Sequence, residues 1–260
     1  MKVRFVNLSR EAKLIENELL DATKSVLKSG NYISGENVND FEKKFSDFCG
    51  VNHSVSVGNG SDGLKIIMKA LDIGPGDEVI CPANSFIASA WSIIDTGATP
   101  VFCDVENDFL ISLNTIKKCK SSKTKAIMAV HLTGKLCDTD QLLKYCKDEN
   151  IFLIEDAAQS VGAMNNRHEK SGSFGIAGSF SMHPLKNLSV YGDGGIVTTN
   201  SEELAVKMKY LRNHGLINRD EAKLWGVNSR LDELQAAFAC IKLKKLDIWN
   251  QRYIEIAAKY

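Results

Sequence analysis

The sequence predicts an α/β protein with a mostly parallel central sheet flanked by helices. Strand-like and helix-like segments alternate over most of the chain, and several strand candidates are short continuous apolar runs, such as 151–154. Continuous apolar runs are typical of strands buried on both faces, and repeated strand–helix–strand units place parallel strands in one sheet through right-handed crossovers. The composition agrees, because 44% hydrophobic and 25% charged residues in a 260-residue chain are ordinary for a globular protein.

Apolar spacing and turn residues define the individual elements. In chain order, the predicted elements are helices over 10–28 and 38–48, a strand over 53–57, a helix over 61–71, a strand over 78–81, a helix over 85–95, strands over 100–103 and 125–131, a helix over 141–148, strands over 151–154, 178–182 and 195–199, and a helix over 202–212. From Leu231 to Tyr260 we expect one long amphipathic helix, because neither glycine nor proline interrupts it.

Charge and cysteine content narrow the functional classes. Lys plus Arg and Asp plus Glu both total 32, so no bulk charge favours nucleic acid or an acidic membrane surface. The N-terminus lacks the apolar core of a signal peptide, and no apolar stretch is long enough to span a membrane. The seven cysteines are scattered without a Cys-x-x-Cys pair, so we expect reduced thiols, no metal site and a cytoplasmic location.

Three segments that follow predicted strands carry candidate chemistry. A glycine-rich turn leads from the strand over 53–57 into a helix, where free backbone N–H groups can bind phosphate. Asp156 follows the apolar run 151–154, and Lys186 lies in a loop after the strand over 178–182. Taken singly, these residues are also explained as a helix N-cap, a structural ion pair and a solvated lysine. Ligands in open α/β sheets bind beyond the carboxyl ends of the strands, so we expect the three to meet.

A phosphate cup, an acid and a lysine at one sheet edge are the parts of a pyridoxal 5′-phosphate site. The cofactor's phosphate requires backbone donors, and its pyridine nitrogen requires a carboxylate that keeps it protonated. Its aldehyde requires a lysine amine, with which it forms a Schiff base. The sequence therefore favours pyridoxal phosphate over a nucleotide, since the turn matches neither a GxGxxG fingerprint nor a P-loop.

A series of motifs in the chain closely resembles the DegT-type sugar aminotransferases, which are fold-type-I pyridoxal-phosphate enzymes. The motifs run in order through residues 30 to 250: Pro-Gly-Asp-Glu-Val-Ile at 75–80, Gly-Ala-Thr-Pro-Val-Phe at 97–102, Ile-Glu-Asp-Ala-Ala-Gln-Ser at 154–160, Gly-Ser-Phe-Gly at 172–175, Ser-Phe-Ser-Met-His-Pro-Leu-Lys-Asn-Leu at 179–188, Gly-Asp-Gly-Gly at 192–195, Leu-Arg-Asn-His-Gly at 211–215 and Asn-Ser-Arg-Leu-Asp-Glu-Leu-Gln-Ala-Ala at 228–237.

The resemblance implies a role for each matching residue. Lys186 is the catalytic lysine that binds the cofactor and moves the proton. Asp156 pairs with the pyridinium nitrogen, Gln159 lies beside the ring hydroxyl, and Phe86 stacks on the ring. The implied phosphate ligands are the backbone of Gly60, Ser61 and Asp62, the hydroxyl of Ser181, and Asn228, which reaches the site of a neighbouring subunit.

The resemblance also implies the reaction and the partners. The amino donor is glutamate, and the acceptor is a nucleotide-linked keto-deoxysugar, in amino-sugar biosynthesis for surface polysaccharides or glycosides. A homodimer with shared active sites is expected. Residues 1–228 are expected to correspond to the large cofactor-binding domain, and residues 229–260 to a helix that leads to a small C-terminal domain, which we expect to be missing here.

Two other functions stay open at this point. In pyridoxal-phosphate sugar dehydratases of the same fold, a histidine replaces the lysine, whereas this chain has Lys186. A truncated, non-catalytic member that binds the cofactor or regulates a partner is the second alternative. His131 and His214 are interpreted as structural histidines, while His183 neighbours the site and is a candidate for contact with the sugar.

Overall fold

The computed structural model describes residues 6–260, so the first five residues of the predicted large domain lie outside the described residues. Ten α-helices and seven strands occur in the described part of the chain. In order they are α1 (Leu8–Leu14), α2 (Glu16–Ser29), α3 (Glu36–Cys49), β1 (His53–Val57), α4 (Gly60–Ala70), β2 (Glu78–Pro82), α5 (Ile87–Ile94), β3 (Thr99–Cys103), α6 (Leu113–Cys119), β4 (Thr124–Val130), α7 (Thr139–Asp148), β5 (Phe152–Asp156), β6 (Ala177–Ser181), β7 (Gly195–Thr199), α8 (Glu202–Leu211), α9 (Glu233–Leu243) and α10 (Leu246–Ala257).

All seven strands form one sheet in the order β1-β7-β6-β5-β4-β2-β3. The pairs from β6 to β3 are parallel, whereas β7 runs antiparallel to both of its neighbours, β1 and β6. The predicted mostly parallel α/β sheet is therefore confirmed. Because β7 alone is reversed, β1 and β6 point the same way, and the carboxyl ends of six strands share one edge.

Alternate residues of the strands pack on opposite faces of the sheet, as expected for side chains with a period of two. On one face, Met128 of β4 contributes to a core with Leu64 of α4 and Met208 of α8. On the other face, helices α3 and α9 pack against β6 and β7 through residues such as Phe45. A third cluster lies under α6 and α7. Helices on both faces bury the sheet, which explains its continuous apolar runs.

Helix α3 is capped from a distant part of the chain. The buried carboxylate of Glu233 in α9 accepts hydrogen bonds from the N–H groups of Gly35 at 2.7 Å and of Asn37 and Val38 at 3.0 Å each. The Asn37 side-chain amide donates a further bond at 2.8 Å. These contacts satisfy donors that have no partner inside the helix, and the negative charge lies at the positive end of the helix dipole. They join α9 to the start of α3.

Both long predicted helices are interrupted, so the predictions of a single helix over 10–28 and over 231–260 are wrong. Ile15 breaks the first, since it leaves helical geometry with φ −128° and is buried at 3% exposure, while α1 buries no residue. A turn at Lys244–Lys245 separates α9 from α10. Leu246 enters the core there, and the change of direction lets α9 stay buried while most of α10 is exposed.

Helix α6 was not predicted, although its start signal stands in the sequence. The Ser112 hydroxyl accepts a bond from Thr115 N–H, and the Thr115 hydroxyl accepts one from Ser112 N–H, which forms a capping box. The segment has few apolar residues and several lysines, so its helical periodicity was not visible in the sequence.

Among the described residues, no helix is long and apolar enough to cross a membrane. The division into 1–228 and 229–260 stays a prediction, and α9 packs into the same core as α3.

Candidate active site

A cavity of about 490 Å³ opens at the sheet edge where β1, β5 and β6 end. Of the nine residues predicted to form the site, seven line it: Gly60, Ser61, Phe86, Asp156, Gln159, Ser181 and Lys186. They come from four separate stretches of sequence. The shared direction of β1, β2, β5 and β6 brings these stretches together, because strands that run the same way end at the same edge.

The first turn of α4 forms one wall of the cavity. The N-cap residue Asn59 accepts a hydrogen bond at 2.9 Å from Asp62 N–H through its side-chain oxygen. The N–H groups of Gly60 and Ser61 precede Asp62 in the helix, where no earlier turn can accept from them. These two donors and the positive end of the helix dipole therefore face the cavity and can bind an anion such as a phosphate.

Gly60 is required by the close contact between α4 and β6. A Cβ atom at Gly60 would lie 2.8 Å from the Cβ of Ser181, and the Ser179 hydroxyl donates a 3.0 Å bond to Gly60 O. Any side chain at position 60 would push the helix away from the strand. The contact sets the Ser181 hydroxyl beside the helix N-terminus, where both line the cavity.

Asp156 supplies the acid at the floor of the cavity and is buried, with 7% of its surface exposed. Its Oδ2 accepts a 2.7 Å bond from the Ser89 hydroxyl, and its Oδ1 accepts a 3.2 Å bond from Ala158 N–H. Burial raises the pKa of Asp156, while these two hydrogen bonds and the charge of Lys186 act in the opposite direction. A carboxylate held this way favours a cationic ligand group.

Lys186 is presented by a tight turn after β6. Its N–H donates a 2.8 Å bond to His183 O, and Leu185 N–H donates a 3.3 Å bond to His183 Nδ1. The second bond fixes the tautomer of His183, because an Nδ1 that accepts leaves the proton on Nε2. Lys186 is half-buried, and both residues line the cavity. The turn therefore brings an amine and a hydrogen-bond donor to the same space.

Gln159 and Phe86 complete the lining. Gln159 Oε1 accepts a 3.0 Å bond from Thr133 N–H, which turns the amide NH₂ away from that contact and leaves it able to donate. Thr133 holds a left-handed conformation at φ 55° to make the bond. Phe86 lies just before α5 with 72% of its surface exposed, so its ring has a face open to a flat ligand.

The other two predicted residues lie outside the cavity lining. The N–H of Asp62 donates to the side chain of the N-cap residue Asn59, and the Asp62 carboxylate pairs with Lys65 at 3.1 Å. Asn228 is exposed on the surface. Its neighbour Ser229 accepts a 2.9 Å bond from Gly58 N–H, so Asn228 stands beside the turn that enters the phosphate cup. The single chain brings neither side chain to the cavity.

Two groups of site residues were missed from the sequence. Asp193 lines the cavity although it precedes β7, because the antiparallel direction of that strand brings its beginning, not its end, to this edge. Ser85 lines the cavity and Ser89 contacts Asp156, and both belong to the segment around α5. The Gly-Asp-Gly-Gly motif at 192–195 was a sequence signal for Asp193. Only the three-dimensional structure reveals the roles of Ser85 and Ser89.

Behind Asp156, a buried pair of side chains supports the site. His131 Nδ1 accepts from Cys137 N–H at 3.2 Å, so its Nε2 carries the proton and donates to Glu155 Oε2 at 2.9 Å. Both side chains are fully buried. His131 is therefore structural, as interpreted from the sequence. Among the described residues, no cluster of His, Cys, Asp or Glu could hold a metal ion.

These residues fit pyridoxal phosphate. Donors at a helix N-terminus and the Ser181 hydroxyl suit its phosphate, a buried carboxylate suits a protonated pyridine nitrogen, an exposed aromatic face suits its ring, and a half-buried lysine suits its aldehyde. The absence of a Cβ at Gly60 leaves the backbone of this turn close to the Ser181 side chain.

The comparisons with known proteins agree with this site. The model of the DegT/DnrJ/EryC1/StrS aminotransferase family matches residues 13–260. The chain is 46% identical over 259 residues to dTDP-3-amino-3,6-dideoxy-α-D-galactopyranose transaminase of Aneurinibacillus thermoaerophilus, covering 99% of this chain and 71% of that protein. A second relative, dTDP-3-amino-3,4,6-trideoxy-α-D-glucose transaminase of Streptomyces venezuelae, is 38% identical and is covered to 68% of its length.

The fold is likewise that of solved structures. The crystal structure of DesV from S. venezuelae superposes on the whole of this chain with a TM-score of 0.97 at 38% identity, and 70% of that chain is covered. NtdA from Bacillus subtilis, solved with its cofactor PMP bound, gives a TM-score of 0.88 at 31% identity over 95% of this chain and 57% of its own. These likenesses confirm the predicted fold-type-I architecture.

Proposed function

The chain belongs to the DegT/DnrJ/EryC1/StrS aminotransferase family, whose cofactor is pyridoxal phosphate, and on that premise we propose that it aminates a nucleotide-linked keto-deoxysugar with glutamate as the donor. The observation that carries the proposal is one cavity of about 490 Å³ that combines Lys186, the buried Asp156 and the N-terminus of α4. The product would be an amino sugar for a surface polysaccharide or a glycoside.

Each predicted residue that lines the cavity then has a task. Gly60 and Ser61 bind the phosphate through backbone N–H groups, and Ser181 through its hydroxyl. Asp156 pairs with the protonated ring nitrogen, Gln159 donates to the ring hydroxyl, and Phe86 covers the ring face. When bound, the cofactor supplies an aldehyde that carries the amino group and a ring that withdraws electrons from the reacting carbon.

Lys186 moves the proton. Its Nζ takes a proton from the amino-bearing carbon of glutamate, and in the second half of the reaction it returns a proton to the sugar carbon that receives the amine. A general base in place at the reacting carbon contributes roughly 10²–10⁴ in rate. The turn over 183–186 holds Lys186 over the cavity by its backbone bond to His183, so the amine needs little reorganisation to act.

His183 and Asp193 are suited to the sugar. With its proton fixed on Nε2, His183 donates to an oxygen acceptor, while Asp193 accepts from a hydroxyl group. Relatives named as transaminases of dTDP-linked and UDP-linked sugars support the substrate class.

We propose a homodimer with shared sites, because an exposed apolar face of α5 needs a partner. Ile87, Trp91 and Ile94 lie on one side of this helix and are 61%, 57% and 59% exposed, and Phe86 continues the face into the cavity. A second copy covering this face would bury apolar surface next to the site. Asn228, exposed in the single chain, would then reach the phosphate of the partner.

A charge at the centre of this face is expected to break the dimer. Trp91→Asp should shift the protein to monomer at micromolar concentration, since an unpaired buried carboxylate costs several kcal/mol. Sedimentation velocity measures the change. Val206→Asp is the matched control, because Val206 is also an exposed apolar residue, at 40%, but lies on α8. A Trp91→Asp protein that remains dimeric contradicts the assignment of this face.

The reaction itself is tested in two halves. The protein loaded with pyridoxal phosphate and given glutamate alone should produce 2-oxoglutarate in a single turnover. It should then aminate one member of a panel of dTDP- and UDP-linked keto sugars, detected by mass spectrometry. Removal of a hydroxyl without amination would point to a sugar dehydratase instead. Failure to form 2-oxoglutarate would favour the non-catalytic binding protein.

A cytoplasmic location is part of the proposal. All seven cysteines are free thiols in the structure, and six of them are buried, which suits a reducing compartment.

A further inference from the structure

A chain of hydroxyl groups connects the cavity to Asp156 through α5. Ser85, which lines the cavity, lies 2.7 Å from Ser89, oxygen to oxygen, and the Ser89 hydroxyl lies 2.7 Å from Asp156 Oδ2. Ser89 has no exposed surface. The three side chains therefore form a short network, buried at Ser89 and Asp156, that no motif around Asp156 reveals, since 67 positions separate Ser89 from its partner.

The hydrogen bonds of this network all run in one direction, from Ser85 through Ser89 to Asp156. A hydroxyl group has one proton, and Ser89 uses its proton on the carboxylate, which only accepts when ionised. Ser85 must therefore donate to Ser89, and its own oxygen keeps acceptor sites toward the cavity. Hydrogen bonds in such a chain polarise one another in the same sense, so Ser85 strengthens the bond from Ser89 to Asp156.

Asp156 depends on these contacts because it is buried. Burial raises its pKa, and the hydrogen bond from Ser89 is the largest opposing effect, followed by the hydrogen bond from Ala158 N–H and by smaller electrostatic contributions from Lys186 and His131. These groups come from four parts of the chain: α5, the segment after β5, the turn after β6 and the residue that follows β4. Among these groups, the Ser89 hydroxyl is the fully buried donor to Oδ2 of Asp156.

We propose that Ser89 is a positioning residue, which holds Asp156 ionised and oriented toward the pyridine nitrogen of the cofactor, with Ser85 extending this hydroxyl chain to the cavity wall. The inference rests on the proposed function, in which Asp156 pairs with that nitrogen. Ser89 itself does not touch the cofactor. Its removal acts through Asp156, and so it affects cofactor affinity and the pH dependence of that affinity.

The test measures pyridoxal phosphate binding by the full chain. Ser89→Ala should raise the dissociation constant roughly tenfold, in the range expected for one hydrogen bond to a charged group. Without this bond the pKa of Asp156 rises further, so the carboxyl group protonates at a higher pH. The loss of affinity on acidification should therefore begin at a higher pH in the variant than in the unaltered protein.

Ser92→Ala is the matched control. Ser92 is also a buried serine of α5, and its hydroxyl donates a 3.1 Å bond to Ser89 O without reaching Asp156. This variant should keep the affinity and pH profile of the unaltered protein. Thermal unfolding of both cofactor-free variants shows whether α5 stays folded, and Ser89→Thr, which keeps the hydroxyl, should restore binding at least in part.

The outcomes separate this inference from the proposed function. If Asp156→Asn weakens binding while Ser89→Ala behaves like Ser92→Ala, the role of Ser89 is refuted and the role of Asp156 stands. If Asp156→Asn binds as tightly as the unaltered protein, the assignment of Asp156 fails, and the inference fails with it. Equal weakening by both serine variants would also overturn the proposal, because it would reflect helix packing rather than the carboxylate.

Discussion

Lys186→Ala is expected to lower the rate of transamination by at least about 10³, because the variant loses the amine that moves the proton. The fold should be unaffected, since the turn that carries the residue is held by its backbone N–H bond to His183 O at 2.8 Å, which alanine retains. Single-turnover formation of 2-oxoglutarate measures the loss. A small added amine should restore part of the rate, since truncation of Lys186 leaves room in the cavity that this residue lines.

Two further substitutions make the result specific. Lys186→Arg should be as inactive as the alanine variant, because a guanidinium group keeps a positive charge but does not release its proton near neutral pH. Lys118→Ala removes an exposed lysine of α6 and should leave the rate unchanged. Substantial activity in Lys186→Arg would mean that the charge of Lys186 matters rather than its proton transfer.

Glu155→Gln is expected to reduce the free energy of unfolding by about 3–5 kcal/mol, the cost typical of breaking a buried charged network. The Glu155 carboxylate accepts four hydrogen bonds. The donors are the N–H groups of Gly172 at 2.7 Å, Phe174 at 2.8 Å and Gly175 at 2.7 Å, and the ring of His131 at 2.9 Å. All four partners are donors. A glutamine would direct its NH₂ group against at least one of them, and would leave that donor without an acceptor.

Urea unfolding measures this change, and Glu169→Gln is its control. Glu169 also bonds to neighbouring side chains, those of Asn165 and Arg167, but it lies at the surface, so its replacement should leave the urea midpoint nearly unchanged. If Glu155→Gln unfolds at the same urea concentration as the unaltered protein, the loop over 172–175 does not depend on this carboxylate. Glu155 and Asp156 are consecutive residues of β5. A loosened loop over 172–175 should therefore disturb the position of Asp156 and weaken cofactor binding.

The strands and the main site residues could be predicted from the sequence. β1 and β7 have the predicted bounds, and the other strands differ by one or two residues, since short apolar runs with turn residues at each end leave little freedom. Gly60, Asp156 and Lys186 were found because they follow strands that run in parallel. Asp193 was missed for the converse reason: it precedes the antiparallel β7, whose direction no local pattern shows.

Helix ends were predicted less well. The breaks at Ile15 and Lys244–Lys245 contain neither glycine nor proline, and they occur because Ile15 and Leu246 turn into the core. The cap on α3 is also invisible in its own sequence, as its acceptor is Glu233, more than 190 residues away. In each case the decisive partner is distant in the chain.

By itself, the sequence determined the fold class, the family resemblance and the lysine, the acid and the glycine-rich turn of the candidate site, because these depend on local patterns and on residue types that the chemistry requires. Only the tertiary structure decided which side chains support them. Ser89 beneath Asp156, Thr133 beside Gln159 and the four donors around Glu155 belong to the site because distant segments pack together. Burial makes these contacts energetically important, since a buried polar group must find its partner within the protein.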